Sequence, residues 1–317
     1  MPVIGLSIIV PCYQEEEVIA STCERLVNLC SRLISELDTE VIFINDGSSD
    51  GTGKILRSFA DSNPSFKVIS FSRNFGHQAA VAAGLHHCSR DTAVSIDADL
   101  QDPPEIIPDM IKLMNDTGAN VVYGVRSSRQ GESWLKKSSA HLFYRLINRF
   151  SDVHIPVDTG DFRLMDRKVI DAFRTLKEKN KYVRGLVSWV GFNQVPFYYK
   201  RDERLAGNTK YGWSKMMGLG MNALTYFSKR PLHVAINLGF LCLFIGLLLA
   251  VYALVVRLSG DYFFMAGWAS TMIAIIFFGG VQLLTVGLIG KYIGSIFDEV
   301  KQRPEYIIDE TINFSND

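Results

Sequence analysis

Two long apolar segments without a charged side chain lie in the last third of the 317-residue chain. They run from Val234 to Val256 and from Ala266 to Ile289. A helix of about 20 apolar residues is long enough to cross a bilayer, and uncharged runs of this length are rare in soluble cores. The sequence therefore predicts two transmembrane helices in addition to any globular part.

Basic residues are distributed unevenly around these two segments. Lys and Arg accumulate in the short cytoplasmic flanks of membrane helices. The connection between the segments contains one basic residue, Arg257. The outer flanks contain more: Lys229, Arg230, Lys291, Lys301 and Arg303. The sequence therefore predicts that both termini lie in the cytoplasm and that the connection lies outside.

The charge balance and the cysteines exclude several kinds of partner. Lys and Arg number 33, as do Asp and Glu, so the chain lacks the basic excess that nucleic-acid binding normally requires. Its five cysteines form no Cys-x-x-Cys pair, and thiols on the cytoplasmic side stay reduced. We therefore expect no nucleic-acid partner, no zinc site and no disulfide framework.

The first 200 residues alternate between short apolar runs and longer runs with helical periodicity. The predicted strands are Leu6–Val10, Val41–Ile44, Val68–Phe71, Ala93–Ile96 and Val121–Gly124. The predicted helices are Glu16–Leu37, Thr52–Ala60, His77–His87 and Glu105–Met114. This alternation predicts an α/β fold whose mostly parallel sheet is covered by helices on both faces. Ligands of such sheets bind at the carboxyl ends of the strands.

The segment DADLQDPP, which begins at Asp97, directly follows the fourth predicted strand. Asp97 and Asp99 are two residues apart, so both carboxylates project to the same side of an extended backbone. Two like charges at such close range are unfavourable without a cation. Oxygen ligands suit Mg²⁺ or Mn²⁺, which usually keep open positions for substrate phosphates. The motif therefore indicates a metal that carries a diphosphate, although Asp-x-Asp also occurs in exposed turns and calcium loops.

Two other strand ends carry side chains suited to a nucleotide. After the first strand, Tyr13 offers a ring that can stack on a base, and Glu15 can accept from base or ribose donors. After the second strand, Asp46 is free to accept from a pyrimidine N–H. The glutamates are equally explained as favourable charges at a helix N-terminus. The sequence contains no Gly-rich dinucleotide motif and no Walker lysine motif, so nucleotide recognition would depend on acids and a metal.

Several motifs in order resemble those of the family 2 inverting glycosyltransferases: VPCYQEEE, NDGSSDGT, SRNFGHQAA and DADLQDPP. The later segments DTGDFRLMDR and ERLAGNTKY resemble the polyprenyl-phosphate branch, which includes bactoprenol glucosyltransferases and dolichol-phosphate mannosyltransferases. The SRNFG segment and the two apolar runs favour the bactoprenol type. The resemblance extends to about Glu305 and implies a nucleotide-diphospho-sugar transferase domain of the GT-A kind, followed by two transmembrane helices.

The resemblance also implies roles for individual residues. Those that would bind the nucleotide sugar are Pro11, Tyr13, Glu15, Asp46, Asp97 and Arg126. Those that would bind the metal are Asp97, Asp99 and Gln101. The candidate catalytic residues are Asp158, Asp161, Arg163, Arg204 and Lys210. The mannosyltransferases carry Ser-Gly where this chain has Gly160-Asp161. The role of their phosphate-binding serine therefore does not carry over directly to this position, and Thr159 could take it instead.

The implied reaction is metal-dependent, inverting transfer of a hexose to a polyprenyl phosphate, with UDP-glucose and undecaprenyl phosphate as the leading substrates. The acceptor oxygen is already anionic, so a strong general base is less necessary than for an alcohol. Asp158 or Asp161 could take a residual proton or orient the acceptor. Catalysis would depend on positioning, on Mg²⁺ or Mn²⁺ neutralising the diphosphate, and on Arg163, Arg204 and Lys210 supplying charge to both anions.

These expectations divide the chain into four parts. Residues 1–210 would form a cytoplasmic catalytic domain, 211–232 an amphipathic segment at the membrane interface, 233–290 the two-helix transmembrane region and 291–317 a cytoplasmic tail. Lys215, Lys229 and Arg230 could attract the lipid phosphate. Gly279-Gly280 permits close helix packing, so we expect a homo-oligomer in a bacterial inner membrane.

Other donors and other classes of protein stay open at this point. GDP-mannose, UDP-galactose or a modified UDP-sugar could replace UDP-glucose as the donor, because no motif indicates which stereochemistry of the sugar hydroxyls the site would bind. A processive polysaccharide synthase of the same fold would carry a Gln-x-x-Arg-Trp motif and more spans, and this sequence has neither. A non-catalytic membrane scaffold would lose the metal ligands, whereas Asp97, Asp99 and Gln101 are all present.

Overall fold

The computed structural model describes residues 3–126, 159–179, 181–200, 230–258 and 268–314. Five residues predicted to act at the site or the membrane therefore lie outside the described residues: Asp158, Arg204, Lys210, Lys215 and Lys229. Most of the predicted interfacial segment, 211–232, lies outside them too. The chain divides into two compact units, one containing the sheet and its helices and the other containing two long apolar helices.

The first unit is built on a sheet that has eight strands within the described residues. They are β1 (Gly5–Cys12), β2 (Asp38–Asn45), β3 (Phe66–Phe71), β4 (Thr92–Ser95), β5 (Val121–Arg126), β6 (Thr159–Asp166), β7 (Gln194–Tyr199) and β8 (Ile308–Ile312). They lie in the order β7-β5-β6-β4-β1-β2-β3-β8. β6 and β8 pair antiparallel with their neighbours, and the other pairings are parallel.

Helices connect these strands. In the first unit they are α1 (Ile19–Leu33), α2 (Thr52–Ser62), α3 (His77–His87), α4 (Ile107–Thr117), α5 (Arg167–Thr175) and α6 (Val183–Val190). A short 3₁₀ turn, Pro104–Ile106, precedes α4. The strands and helices predicted within the first 126 residues all form, with their ends shifted by a few residues.

Both faces of the central strands are buried, which explains the continuous apolar character of their sequences. All eight residues of β1 are buried. On one face, Ile8 and Val10 share a core with buried residues of α1, α2 and α4. On the other face α3 lies close to the sheet, with Gly84 against Ile9 and Ile44. The expected α/β fold with a mostly parallel, doubly covered sheet is confirmed.

β6 enters the sheet antiparallel between β4 and β5, and this reversal determines which residues reach the carboxyl edge. Thr92 of β4 lies opposite Asp166, and Ser95 lies opposite Arg163. The start of β6, rather than its end, is therefore beside the residues that follow β4. Asp161 belongs to this early part of β6.

The segment predicted as a cytoplasmic tail, 291–317, contributes a strand to the sheet. β8 pairs antiparallel with β3, with Val68 opposite Ile312 and Ser70 opposite Glu310. Its residues alternate between half-buried and exposed, as an edge strand with one covered face requires. The part of this segment from Arg303 onward thus belongs to the first unit, whereas its first ten residues, up to Val300, belong to the last helix of the second unit.

The second unit contains α7 (Arg230–Leu258) and α8 (Trp268–Val300), which include most of the two apolar runs. By length and composition, one described segment could cross a bilayer, Ala274–Val300. A shorter apolar helical segment spans Val234–Leu248. The described residues therefore contain one helix that meets this criterion, whereas the sequence predicts two.

The close approach of α3 to β1 gives a test of the packing. A Cβ added at Gly84 would lie 2.2 Å from Ile9 Cγ2, so Gly84→Ala should lower the free energy of unfolding by about 1–3 kcal/mol. Denaturant unfolding followed by tryptophan fluorescence measures this change. Gly246→Ala is the control, because its added Cβ meets nothing within 4 Å. Equal stability of Gly84→Ala and wild type would contradict the packing described.

Candidate active site

The carboxyl ends of the parallel strands and the start of β6 meet at one edge of the sheet. Parallel pairing aligns Cys12 with Asn45 at the ends of β1 and β2, and β6 brings its first residues to the ends of β4 and β5. Ten predicted site residues that the structure describes lie at the ends of these parallel strands, directly after them, or in β6: Pro11, Tyr13, Glu15, Asp46, Asp97, Asp99, Gln101, Arg126, Asp161 and Arg163. We call this region the carboxyl edge.

Asp97 and Asp99 lie in a turn after β4 that contains an unusual backbone conformation. Leu100 has φ 56°, a left-handed value that is uncommon outside glycine. Its side chain is buried, which stabilises the conformation. The Gln101 N–H donates to Asp99 Oδ1 at 3.2 Å. Such local strain is concentrated at functional sites, in agreement with a role for this turn.

Asp161 of β6 is the centre of a cluster of charged residues. Its Oδ2 lies 3.0 Å from His77 Nε2 and accepts from Gln78 Nε2 at 3.3 Å. Its Oδ1 accepts from two nitrogens of Arg184, both at 3.2 Å. His77 Nε2 also lies 3.7 Å from Asp97 Oδ1. His77 therefore connects Asp161 with the first carboxylate of the DADLQDPP segment. We call Asp161, His77, Gln78 and Arg184 the Asp161 cluster.

These contacts set the charge states of the cluster. Burial disfavours the carboxylate of Asp161, but Arg184 and His77 hold its pKa far below the usual range. Burial also disfavours the imidazolium of His77, yet the hydrogen bond to Asp161 and the charge of Asp97 raise its pKa to about 9. Burial, opposed by His77 and reinforced by Asp161, raises the pKa of Asp97 to about 6. At neutral pH, His77 is therefore a cation between two carboxylates.

Arg163 supports this cluster from a buried position. Its exposed fraction is 2%, and its Nη1 donates to the carbonyl oxygen of Arg184 at 3.3 Å. Burial and the like charge of Arg184 lower the pKa of Arg163 to about 10. Direct contact with a phosphate, as the family resemblance implies, would require this side chain to become uncovered.

Arg126, the last residue of β5, contacts a buried carboxylate. Its Nη2 lies 3.6 Å from Oδ2 of Asp102, which is 0% exposed. The other oxygen of Asp102 accepts from the hydroxyl of Tyr199 in β7. A Cβ at Gly160 would lie 2.8 Å from Arg126 Nη2, so glycine leaves room for the guanidinium. These contacts hold Arg126 beside the start of β6.

Asp46 is not free at the end of β2, contrary to the expectation from the sequence. It is 2% exposed, and its carboxylate accepts from the N–H groups of Phe75 at 2.6 Å and Gly76 at 2.9 Å. Asn74 Nδ2 donates to it at 2.9 Å. A carboxylate has about four acceptor positions, so Asp46 uses most of them to hold the turn before α3. Its contact with a nucleotide base stays a prediction.

The loop after β1 is joined to the loop after β2 by hydrogen bonds. Gln14, with φ 53°, donates its N–H to Ser48 Oγ at 3.0 Å. The Glu15 N–H donates to Thr52 Oγ1 at 2.9 Å. Tyr13 is 37% exposed, so its ring is available for stacking at the carboxyl edge.

The donor set at this edge fits a metal that is completed by substrate oxygens. In the part of the chain that the structure describes, no group of three or more His, Cys, Asp and Glu side chains could hold a metal ion by itself. Asp97, Asp99 and Gln101 offer two carboxylates and one amide oxygen, which leaves positions of an octahedral ion to phosphate and water. The charge of Asp99 contributes to the raised pKa of Asp97, and a cation would relieve this repulsion.

Five residues of the site were not assigned a role from the sequence: His77, Gln78, Asp102, Arg184 and Tyr199. Three of them lie in the SRNFGHQAA and DADLQDPP segments, so their position in those motifs was the available signal. Arg184 and Tyr199 lie in no motif. Only the packing of α6 and the pairing of β7 with β5 place them near the carboxyl edge.

The order and direction of the strands define a GT-A-like α/β fold. A solved mannosyltransferase from Pyrobaculum calidifontis, in complex with GDP-Man and Mn²⁺, has the same fold, with a TM-score of 0.51 and 14% identity. The match covers 94% of this chain and 88% of that chain. The family description "Glycosyl transferase family 2" matches residues 7–174. The chain therefore belongs to glycosyl transferase family 2, which confirms the predicted family and class of enzyme.

Relatives align with this chain over nearly its whole length. An uncharacterized glycosyltransferase of Bacillus subtilis, YkcC, is 48% identical over 99% of this chain and 96% of its own length. A bactoprenol glucosyl transferase of Shigella phage SfII is 39% identical over 96% of this chain and 97% of its own length. The similarity thus includes the sequence of the apolar helices α7 and α8.

The charge state of His77 predicts a pH-dependent contribution to stability. Its pKa of about 9 in the folded protein exceeds the unfolded value of about 6.5. Its stabilising contribution is therefore fully present below about pH 6.5 and is lost as the pH rises through 9. Denaturant unfolding in EDTA measures this contribution. The difference in free energy of unfolding between wild type and His77→Gln should shrink as the pH rises from about 6.5 to about 9.

His87→Gln provides the control for this measurement. Burial lowers the pKa of His87, so its contribution is present above the unfolded pKa and is lost as the pH falls. The two variants should therefore show opposite trends. A His77→Gln difference that grows with pH would contradict the assigned charge state.

Proposed function

We propose that this protein transfers glucose from UDP-glucose to a polyprenyl phosphate, such as undecaprenyl phosphate, at the cytoplasmic face of a bacterial inner membrane. The observation that carries the proposal is the juxtaposition of the DADLQDPP carboxylates with the Asp161 cluster. Such a site can hold the donor diphosphate through a metal and an acceptor phosphate through cations. The named bactoprenol glucosyl transferases among the relatives support this acceptor class.

The acceptor decides which chemistry the site must supply. A polyprenyl phosphate presents an oxygen that is already anionic, so its attack on the sugar needs no strong general base. The remaining tasks are to hold two anions together and to stabilise the charge on the departing diphosphate. Arg126 and Arg184 are partly exposed, at 23% and 19%, and can meet these anions. Direct displacement would invert the anomeric centre and give a β-linked product from an α-linked donor.

Asp161 orients these groups rather than taking a proton. A carboxyl group whose pKa is held far below the usual range is a weak base at neutral pH. Its two oxygens instead hold Arg184 and His77 in fixed positions. We therefore assign Asp161 a positioning role. Arg204 and Lys210, outside the described residues, would add positive charge, and Asp158 would orient the acceptor.

A divalent cation, Mg²⁺ or Mn²⁺, supplies electrostatic stabilisation of the leaving diphosphate when it is bound. Asp97, Asp99 and Gln101 would hold it. Tyr13 and Glu15 would bind the nucleoside, close in the chain to Pro11, which is buried in β1. Asp46 would act on the nucleotide chiefly through the turn that it holds.

The position of β8 supports two membrane crossings. Because β8 pairs with β3, residues 308–312 lie on the same side of a bilayer as the sheet. α7 and α8 lie between β7 and β8 in the chain, so a single crossing would put β8 on the wrong side. In this proposal one span is Ala274–Val300, which is long enough to cross a bilayer, and the other is the apolar run of α7, which contains the shorter segment Val234–Leu248. Both termini would then lie in the cytoplasm.

The exposed surface of these helices supports contact with lipid and with further copies of the chain. Leu243 and Leu284 are 71% and 76% exposed, which suits a hydrocarbon environment. An added Cβ meets nothing within 4 Å at either Gly279 or Gly280, so this small-residue pair is available for close packing. A homo-oligomer is therefore part of the proposal.

Transfer of labelled sugar to undecaprenyl phosphate in detergent tests the proposal, with a panel of UDP- and GDP-sugars as donors. One donor, UDP-glucose, should give a glycolipid. EDTA and Asp99→Asn should each lower the rate by about 100-fold or more, because the diphosphate charge is no longer neutralised. Asp109→Asn, at an exposed position of α4, is the matched control and should keep full activity.

The outcomes separate the parts of the proposal. A glycolipid made from GDP-mannose or another donor would change the proposed sugar and leave the proposed acceptor unchanged. Donor binding without a lipid product would point to a different acceptor. Absence of binding to every donor would contradict the enzyme assignment and favour a membrane scaffold that has kept the fold.

A further inference from the structure

The segment Glu305–Ile307 connects the chain after α8 with β8 and packs on the loop that follows β3. We call it the clamp segment. The Ser72 N–H donates to the Ile307 carbonyl oxygen at 3.0 Å. The ring of Tyr306 stacks on that of Phe71, with centroids 4.9 Å apart and an angle of 13° between the planes. The clamp segment therefore covers the end of β3.

The residues that the clamp segment covers lead directly to the site. Phe71 contacts Phe75 edge-on, with centroids 5.8 Å apart. The Phe75 N–H donates to Asp46, and the turn continues through Gly76, with φ 103°, to His77. A shift of the Phe71–Tyr306 stack would therefore move the turn that carries the imidazolium of the Asp161 cluster.

A second set of contacts runs from the clamp segment to the other side of the same cluster. Glu305 lies 3.1 Å from Lys181 Nζ, and both side chains are largely buried, at 13% and 5% exposed. Lys181 Nζ also lies 3.0 Å from His86 Nε2 and 5.3 Å from the centre of the Phe173 ring. These contacts fix Lys181, three residues before Arg184, which donates to Asp161.

Glu305 and Tyr306 therefore act on the two cations that flank Asp161. We propose that they are positioning residues for the transfer reaction, through which the clamp segment holds His77 and Arg184 in place. The roles in transfer rest on the proposed function, whereas the mechanical coupling does not. The clamp segment follows α8 closely in the sequence, because α8 ends at Val300, five residues before Glu305.

Tyr306→Ala tests the coupling in the full chain in detergent. Loss of an aromatic pair of this kind should raise the opened population of the turn by about tenfold. Hydrogen exchange followed by mass spectrometry should therefore be about tenfold faster in peptides covering residues 72–78. In the transfer assay kcat should fall by about tenfold, with a smaller change in KM for the donor, because the cluster is displaced while the nucleoside contacts remain.

Three further variants accompany this experiment, two as controls and one as a second test. Tyr306→Phe keeps the ring and should restore wild-type exchange and kcat. Glu305→Gln weakens the contact with Lys181 and should speed exchange around residues 181–184; it also keeps the proposal testable if Tyr306→Ala fails to fold. Glu310→Gln, in β8, weakens the exposed ion pair with Arg57 of α2 and should change neither exchange at 72–78 nor kcat.

Two results would overturn the proposal. One is a folded Tyr306→Ala protein with wild-type exchange at 72–78 and wild-type kcat. The other is a Glu310→Gln protein with the same changes as Tyr306→Ala, since β8 would then act only as general support. If the wild type transfers no sugar, the proposed function fails. The exchange data alone then decide whether the clamp segment is coupled to the Asp161 cluster.

Discussion

The ion cluster around Asp161 is the interaction on which the rest of the site depends. Asp97, Asp99 and Asp102 all follow β4, and such crowding of carboxylates is unfavourable without compensating charge. The protein supplies part of that charge itself, because His77 bridges Asp161 and Asp97 and Arg126 lies beside Asp102. Under the proposed function, the same edge would also bind a metal and two phosphate-bearing substrates.

The direction of β6 makes this cluster possible. A parallel strand in this position would bring its last residues to the carboxyl edge, and Asp161 would lie at the opposite edge. The antiparallel strand instead sets Arg163 opposite Ser95 and delivers Asp161 to the turn after β4. The strand order of the GT-A-like fold therefore has a direct electrostatic consequence. Arg184 of α6 completes the cluster by donating to Asp161.

Much of the fold was predictable from local patterns, because the first five strands are apolar runs and the helices α1, α2 and α4 have regular apolar faces. The residues that follow those strands were found for the same reason. Long-range pairing was not predictable: β8 is a short half-buried strand, and nothing local indicates that it returns to β3. Arg184 and Tyr199 were missed because their roles arise only from packing. Asp46 was assigned a free carboxylate because the three donors that occupy it come from a distant turn.

Binding of Mn²⁺ to the purified chain, measured by electron paramagnetic resonance with and without UDP, tests the central claim most directly. That claim is that the carboxyl edge is a site for a diphosphate held through a metal. We expect weak binding of Mn²⁺ alone and binding at least about tenfold tighter with UDP, and we expect Asp97→Asn to lose this gain. Mn²⁺ binding that UDP leaves unchanged, or a gain that Asp97→Asn retains, would contradict it.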